Sequence, residues 1–289
     1  MVIQNHAIKN YMKINIKIFL SLALLLVLIS SCKKLDKPAL GDYPKDASAP
    51  GGALKFYAAF DGTTADPLMN AVDSIRASFA SSNACSSISG ISGKAVLGNG
   101  SQFVKYISPN DFVGTAKNFT VAFWEKRNGM PIGEAEFPFS IASNNGHWAG
   151  TSMMLLFDHA GAGATNSLAV LKFVLVDKNM NDTWLTWEGS NKVEGIQDNN
   201  WHHLAFVYNA TSSALSLYVD GAANTNVATW SGHGDANMDA SNVSGFIIGG
   251  RPKEDLGWGR SWTGGIDQFR MYNTALSSAD IAALYSGKK

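Results

Sequence analysis

Apolar and polar residues alternate most regularly between Trp201 and Gly221. Leu204, Phe206 and Tyr208 share one face of an extended segment, and His203, Ala205 and Val207 the other. Leu215, Leu217 and Val219 share a face of a second segment, and residues 209–213 join the two with side chains that bond their own backbone. The stretch predicts a β-hairpin. Its two largely apolar faces predict a central place in a sheet covered on both sides. The same period of two runs through Phe119–Lys126, with Phe119, Val121 and Phe123 in phase. Further strands are expected at residues 54–60, 94–97, 103–107, 153–157, 168–176, 183–188, 227–230, 245–248 and 265–272. Residues 71–93, rich in Ser and Ala and without period, read as loop with about one helical turn. One helix is expected, at the end of the chain. Ser277 caps it, Asp280 completes a variant capping box, Ile281, Leu284 and Tyr285 form its apolar stripe, and Gly287 ends it.

Composition supports an all-β chain: 28 glycines, 11% aromatic residues and 16% charged residues in a chain of 289. The N-terminus stands apart. An uncharged apolar run, residues 18–29, follows Lys9, Lys13 and Lys17, and is about half of what an ordinary membrane-spanning helix needs. It ends in Ile29-Ser30-Ser31-Cys32, which resembles a bacterial lipobox, in which the cysteine is lipidated and becomes the first residue. The alternative is a short anchor that stays uncut. Met12 is a more ordinary start for such a signal than Met1. On this reading residues 1–31 are a lipoprotein signal peptide and residues 32–53 are lipidated Cys32 and a Pro- and Gly-rich flexible tether. Residues 54–289 are then one domain. Without the signal, 20 basic side chains face 23 acidic ones, a net charge of −3, which gives no electrostatic footprint for nucleic acid. Cys85 is then the one cysteine besides Cys32, so no intramolecular disulfide is expected.

Five short motifs carry a family resemblance. They are Phe60-Asp61-Gly62, Phe119–Lys126, Trp201-His202-His203 with the following Leu217-Tyr218-Val219-Asp220-Gly221, Ile247–Arg251, and the stretch from Gly265 to Leu284. In this order they resemble the laminin-G-like, concanavalin A-like lectin domains. The resemblance implies a jelly-roll β-sandwich of two antiparallel sheets with one short C-terminal helix. It also implies a calcium ion near the sandwich rim, with Asp61 and Asp267 as its matching carboxylates; the other reading is that each Asp caps a turn through backbone N–H groups. Asp267, in line with Phe269 and Met271, is costly to bury unless paired, hydrogen-bonded or metal-bound.

The remaining candidates lie in loops, where such scaffolds carry function. Sugars present C–H faces that stack on aromatic rings and hydroxyls that bond polar rims. Trp148, Trp184, Trp258 and Trp262, with Arg251 and Arg260, are therefore the candidate glycan-binding residues. Alternation makes one of Trp184 and Trp187 face inward and the other outward. The run from Asp177 to Glu188 comes close to an EF-hand loop, but Asp182 stands where the sharp turn needs Gly, and it reads better as a hairpin. Glu134 and Glu136 share a strand phase, yet Pro131, Gly133 and Pro138 suggest a loop, so no carboxylate pair for glycoside hydrolysis is recognisable. The expectation is a non-catalytic, lipid-anchored outer-membrane protein of a Gram-negative bacterium that binds polysaccharide, alongside components of a glycan uptake system. The alternatives are a glycoside hydrolase or polysaccharide lyase of the same fold, and an adhesion module that binds protein.

Overall fold

The computed structural model describes residues 52–61, 72, 78–79, 85–253 and 255–288. The expected signal peptide, lipidated Cys32 and all but the last two residues of the expected tether lie outside the described residues.

Eighteen strands carry the fold among the described residues. The first six are β1 (Leu54–Ala58), β2 (Ser78–Phe79), β3 (Ser86–Ser89), β4 (Lys94–Asn99), β5 (Val104–Tyr106) and β6 (Phe119–Lys126). The next six are β7 (Ala135–Ser143), β8 (Thr151–Phe157), β9 (Leu168–Ala169), β10 (Leu171–Val176), β11 (Asp182–Trp187) and β12 (Val193–Glu194). The last are β13 (His202–Asn209), β14 (Ala214–Val219), β15 (Ala222–Thr229), β16 (Val243–Ile248), β17 (Gly259–Ser261) and β18 (Thr263–Tyr272). A single turn, α1 (Phe112–Thr115), precedes β6, and α2 (Ser278–Ser286) closes the chain.

Two sheets face each other. The first runs β15-β14-β13-β6-β18-β4-β3, with β1 also on β18; the second runs β11-β10-β8-β7-β16-β5-β2. All pairings are antiparallel except β17, which lies parallel to the start of β7. The period of two places Phe119, Val121, Phe123, Leu204, Phe206, Tyr208, Leu215 and Leu217 in one inter-sheet core with Phe139, Phe173, Phe246 and Phe269. Aromatic rings dominate it; Phe123 and Phe269 stack at 5.2 Å, and Phe56 meets Phe246 edge-on at 4.8 Å. The architecture is the expected all-β sandwich. The β13–β14 hairpin is covered on both faces but lies toward one side of its sheet, because β15 pairs beyond it, and β6 and β18 hold the centre.

Two expected loops are strands. Within residues 71–93, β2 pairs with β5, and β3 with β4. Their Ser-rich edges carry no apolar period to read. Residues 135–143 form β7 despite Pro138. That proline lies where the β7–β8 register shifts between Glu136 and Phe139, and a bulge needs no ladder N–H from it.

The terminal helix forms as expected. Ser277 Oγ accepts from Asp280 N while the Asp280 carboxylate accepts from Ser277 N, and the N–H of Gly287 closes the last turn on Ala283 O. Ile281 is buried against Ala122, Ala205 and Val207 on the outer face of the first sheet. Tyr285 stacks on Trp124 at 5.5 Å.

Candidate functional site

The outer face of the second sheet is built differently. Its apolar stripe (Phe137, Met154, Leu156, Val174, Val176) is covered by Ala149 and Leu256 from two loops. Those loops and β11 raise three tryptophans above it. Leu185 and Trp187 point into the core, so Trp184, in the opposite phase, faces out, which settles the expected alternation of the pair. Trp148, Trp184 and Trp258 are 52%, 39% and 37% exposed. Trp148 and Trp184 are nearly parallel, 7° apart with centroids at 6.2 Å, and Trp258 lies 6.1 Å beyond Trp148. The rings form one row.

The row is fixed from below. Asp182, the first residue of β11, accepts from Trp148 Nε1 at 3.3 Å and meets His147 Nε2 at 3.0 Å. The His147 ring in turn accepts from Ala149 N through Nδ1. Trp258 rests on Phe137 at 5.6 Å. Lys172 Nζ lies 6.0 Å from the Trp184 ring and is held by Asp158 at 2.8 Å. A row of exposed tryptophan rings, its middle ring hydrogen-bonded, with a polar rim can stack a sugar and bond its hydroxyls.

The other candidates lie elsewhere. Trp262 is fully buried, edge-on to Phe157 at 4.9 Å and under the Arg127 guanidinium at 4.7 Å, so it is no surface ring. Arg251 spends Nη1 on the carbonyls of Leu256 and Gly259 and pins the loop of Trp258 without joining the row. Arg260 turns to Glu136: Nε and Nη2 donate to Oε1, while Arg127 Nη1 at 3.2 Å and Thr263 N at 2.9 Å take Oε2. Glu136 is thus a buried, fully bonded carboxylate on β7, not a loop acid.

Asp61 and Asp267 do converge, on the turn between β3 and β4. Asp61 accepts from Lys94 N, and Asp267 from Ile91 N and Gln268 N, each within 2.8 Å. Asp267 is not in line with Phe269 and Met271. A bulge between Asp267 and Arg270, with Gln268 at φ +45°, breaks the alternation and sets Asp267 opposite Trp124. Burial, opposed by its backbone hydrogen bonds and reinforced by Asp61, pushes the Asp267 carboxyl up to about 7. Oxygen crowds the open side of Gly90: a Cβ there would lie 2.4 Å from Asp267 Oδ2, 2.6 Å from Ser92 O and 2.8 Å from Lys94 O. Both carboxylates cap the turn, and this oxygen-rich corner also has the chemistry a calcium ion takes. Among the described residues no cluster of three or more His, Cys, Asp or Glu could hold a metal. The Asp177 turn is a hairpin, with Asp177 accepting from Asn179 N and Asn181 N.

Two groups went unread in the sequence. Glu125 continues the inward phase of Phe119, Val121 and Phe123 and is fully buried, with no partner on either oxygen. Burial, only partly offset by Arg127, holds its carboxyl well above the ordinary range. His202 bridges Asp220 (2.8 Å) and Asp198 (3.0 Å), and these bonds, led by Asp220, raise its imidazole to about 9. The phase of Phe119–Lys126 could have revealed Glu125; nothing local marks the Asp198–His202–Asp220 bridge.

Comparison with solved structures gives the same architecture. Domain 4 of AbnA, a GH43 extracellular arabinanase from Geobacillus stearothermophilus seen with arabinotriose, superposes with a TM-score of 0.51 at 17% identity, covering 80% of this chain and 98% of that one. The botulinum neurotoxin serotype G binding domain gives 0.56 at 13% identity, covering 81% of this chain and 51% of that one, so the chain spans about half of the toxin domain. At these identities the likeness is one of fold. No curated protein sequence matches the chain. A laminin G-type family model described as the concanavalin A-like lectin/glucanases superfamily matches residues 99–282, from the end of β4 into α2. Sheet order, core and family match agree, and the chain belongs to the concanavalin A-like lectin/glucanase superfamily.

Proposed function

We propose that this protein binds a glycan, without cleaving it, on the row formed by Trp184, Trp148 and Trp258. The observation that carries the reading is the row itself: three exposed indoles, ring to ring, on a sheet face whose other apolar residues are covered. Asp182 and His147 hold Trp148, the middle ring, in place before any ligand arrives, which limits the ordering cost of binding. The arabinanase domain that shares the fold was seen with arabinotriose, and that is in keeping with a saccharide ligand here.

Native affinity electrophoresis of the 35–289 fragment against a panel of polysaccharides tests this. Retardation by a glycan that weakens at least tenfold in Trp184→Ala and Trp148→Ala supports it. Release of reducing sugar would replace it with the enzyme reading, and no retardation by any glycan would replace it with the protein-adhesion reading. Chelator in the gel tests the ion. Asp61 and Asp267 would hold calcium with the carbonyls of the turn, and loss of retardation in chelator is the expected outcome.

The proposal extends to the cell. Cys32 carries lipid, residues 33–53 are the tether, and the domain stands on the outer membrane of a Gram-negative bacterium beside components of a glycan uptake system. Radiolabelled palmitate should enter the wild-type chain and not Cys32→Ser; equal labelling would defeat the anchor.

A further inference from the structure

A groove of about 510 Å³ opens beside β4 and β18, apart from the tryptophan row. Its polar lining includes Lys126, Arg127, Asn128, Glu136, Asn199 and Arg260. Three cations thus face one carboxylate. That carboxylate is saturated, since both oxygens of Glu136 are taken by Arg127, Arg260 and Thr263 N. Arg127 is buried, but the Arg260 side chain is 35% exposed, and its Nε and Nη2 are the atoms turned to Glu136, which leaves Nη1 for the groove. Neighbouring acids do not restore neutrality. Asp198 is engaged by His202 and Asn200, and burial holds the Glu125 carboxyl well above the ordinary range, which disfavours its charged form. The floor is kept open by Gly264, at φ +140°, where a Cβ would lie 2.4 Å from Lys126 O.

We propose that this groove is a second binding site, selective for a sugar residue that bears a carboxylate. The Arg260 guanidinium faces the carboxylate with Lys126 beside it, and the side-chain amides of Asn128 and Asn199 bond hydroxyls. Such a site does not depend on the tryptophan row. None of Trp148, Trp184 and Trp258 lines the groove.

The test is a pair of titrations followed by amide NMR, with methyl β-D-glucuronide and methyl β-D-glucoside, which differ in the carboxylate. The glucuronide should bind at least tenfold tighter and shift the amides of Gly264 and Gly265. Arg260→Gln should weaken it at least tenfold, Lys126→Gln severalfold, and Trp184→Ala not at all. Lys126→Gln leaves the Glu136 network intact, so it decides the matter if Arg260→Gln fails to fold. Equal affinity for the two glycosides overturns the proposal. So does acetate binding as tightly as the glucuronide, or indifference to Lys126→Gln. Loss in Trp184→Ala would place the probe on the row and overturn this site while leaving the row's role standing.

Discussion

The outer faces of the two sheets hold similar aromatic material and treat it in opposite ways. On the first sheet Trp124 lies beneath α2, stacked by Tyr285 and 1% exposed. On the second, no helix arrives among the described residues. Short loops cover the aliphatic stripe and leave their own indoles in water. A ring under a helix contributes stability. A ring propped on a covered stripe adds little to stability and is available to a ligand. Burial therefore separates structural from functional tryptophans more sharply than sequence position does.

Substitutions break this contrast most strongly at Trp124. Trp124→Ala should cost about 3–5 kcal/mol in urea unfolding, as buried aromatic truncations do. Trp184→Ala should stay within about 1 kcal/mol of wild type while losing glycan affinity. Similar costs for the two would erase the distinction. Ile281→Ala, which loosens α2 from Ala122 and Ala205, should cost about 2–4 kcal/mol by the same measurement and leave glycan binding unchanged.

A pH series sharpens the contrast next. Asp267 has a folded pKa of about 7, above its ordinary 3.8, so the folded state holds its proton more tightly and stability falls as pH rises through that window. His202, raised to about 9, contributes fully below 6.5 and loses its contribution as pH rises through 9. Both are therefore lost in the same direction. His203, lowered to about 4 by burial and by Arg270, works the other way and costs stability as pH falls from 6.5 to 4. In calcium-free buffer the melting temperature should drop between pH 6.5 and 9, by the equivalent of about 1–3 kcal/mol. Asp267→Asn should remove the separate decline that Asp267 contributes between about pH 4 and 7, and calcium should offset that decline if the corner near Gly90 holds the ion. The smallest effect belongs to the cap: Ser277→Ala should cost about 1 kcal/mol, read as a lower midpoint in urea.

Local pattern carried much of this structure. The period of two gave β6, the β13–β14 hairpin and the opposed faces of Trp184 and Trp187, and the capping box gave α2 to within a residue. The misreadings share a cause, for each lies where the ladder is irregular. Pro138 argued for a loop because the bulge that accommodates it cannot be seen in a single strand. Asp267 was set on the wrong face because one extra residue at Gln268 inverts the phase of all that follows. Trp262 looked like a loop ring, yet the Arg127 guanidinium that covers it comes from just past β6, far away in the chain. The site divides in the same way. The three exposed rings could be named from the sequence, whereas the hold of Asp182 on Trp148 and the diversion of Arg260 to Glu136 depend on contacts far apart in the chain.

The pairing of β1 with β18 has a consequence for how the chain folds. Leu54 lies against Tyr272, and β18 is also the strand on which β4 and β6 close. A chain delivered N-terminus first, from a ribosome or through a channel, therefore keeps β1 without its β18 ladder until Thr263–Tyr272 has emerged. Closing that contact is slow because it spans almost the whole domain, and until it closes the first sheet has a gap at its centre. The first sheet stays open until β18 arrives, and its completion waits on that strand.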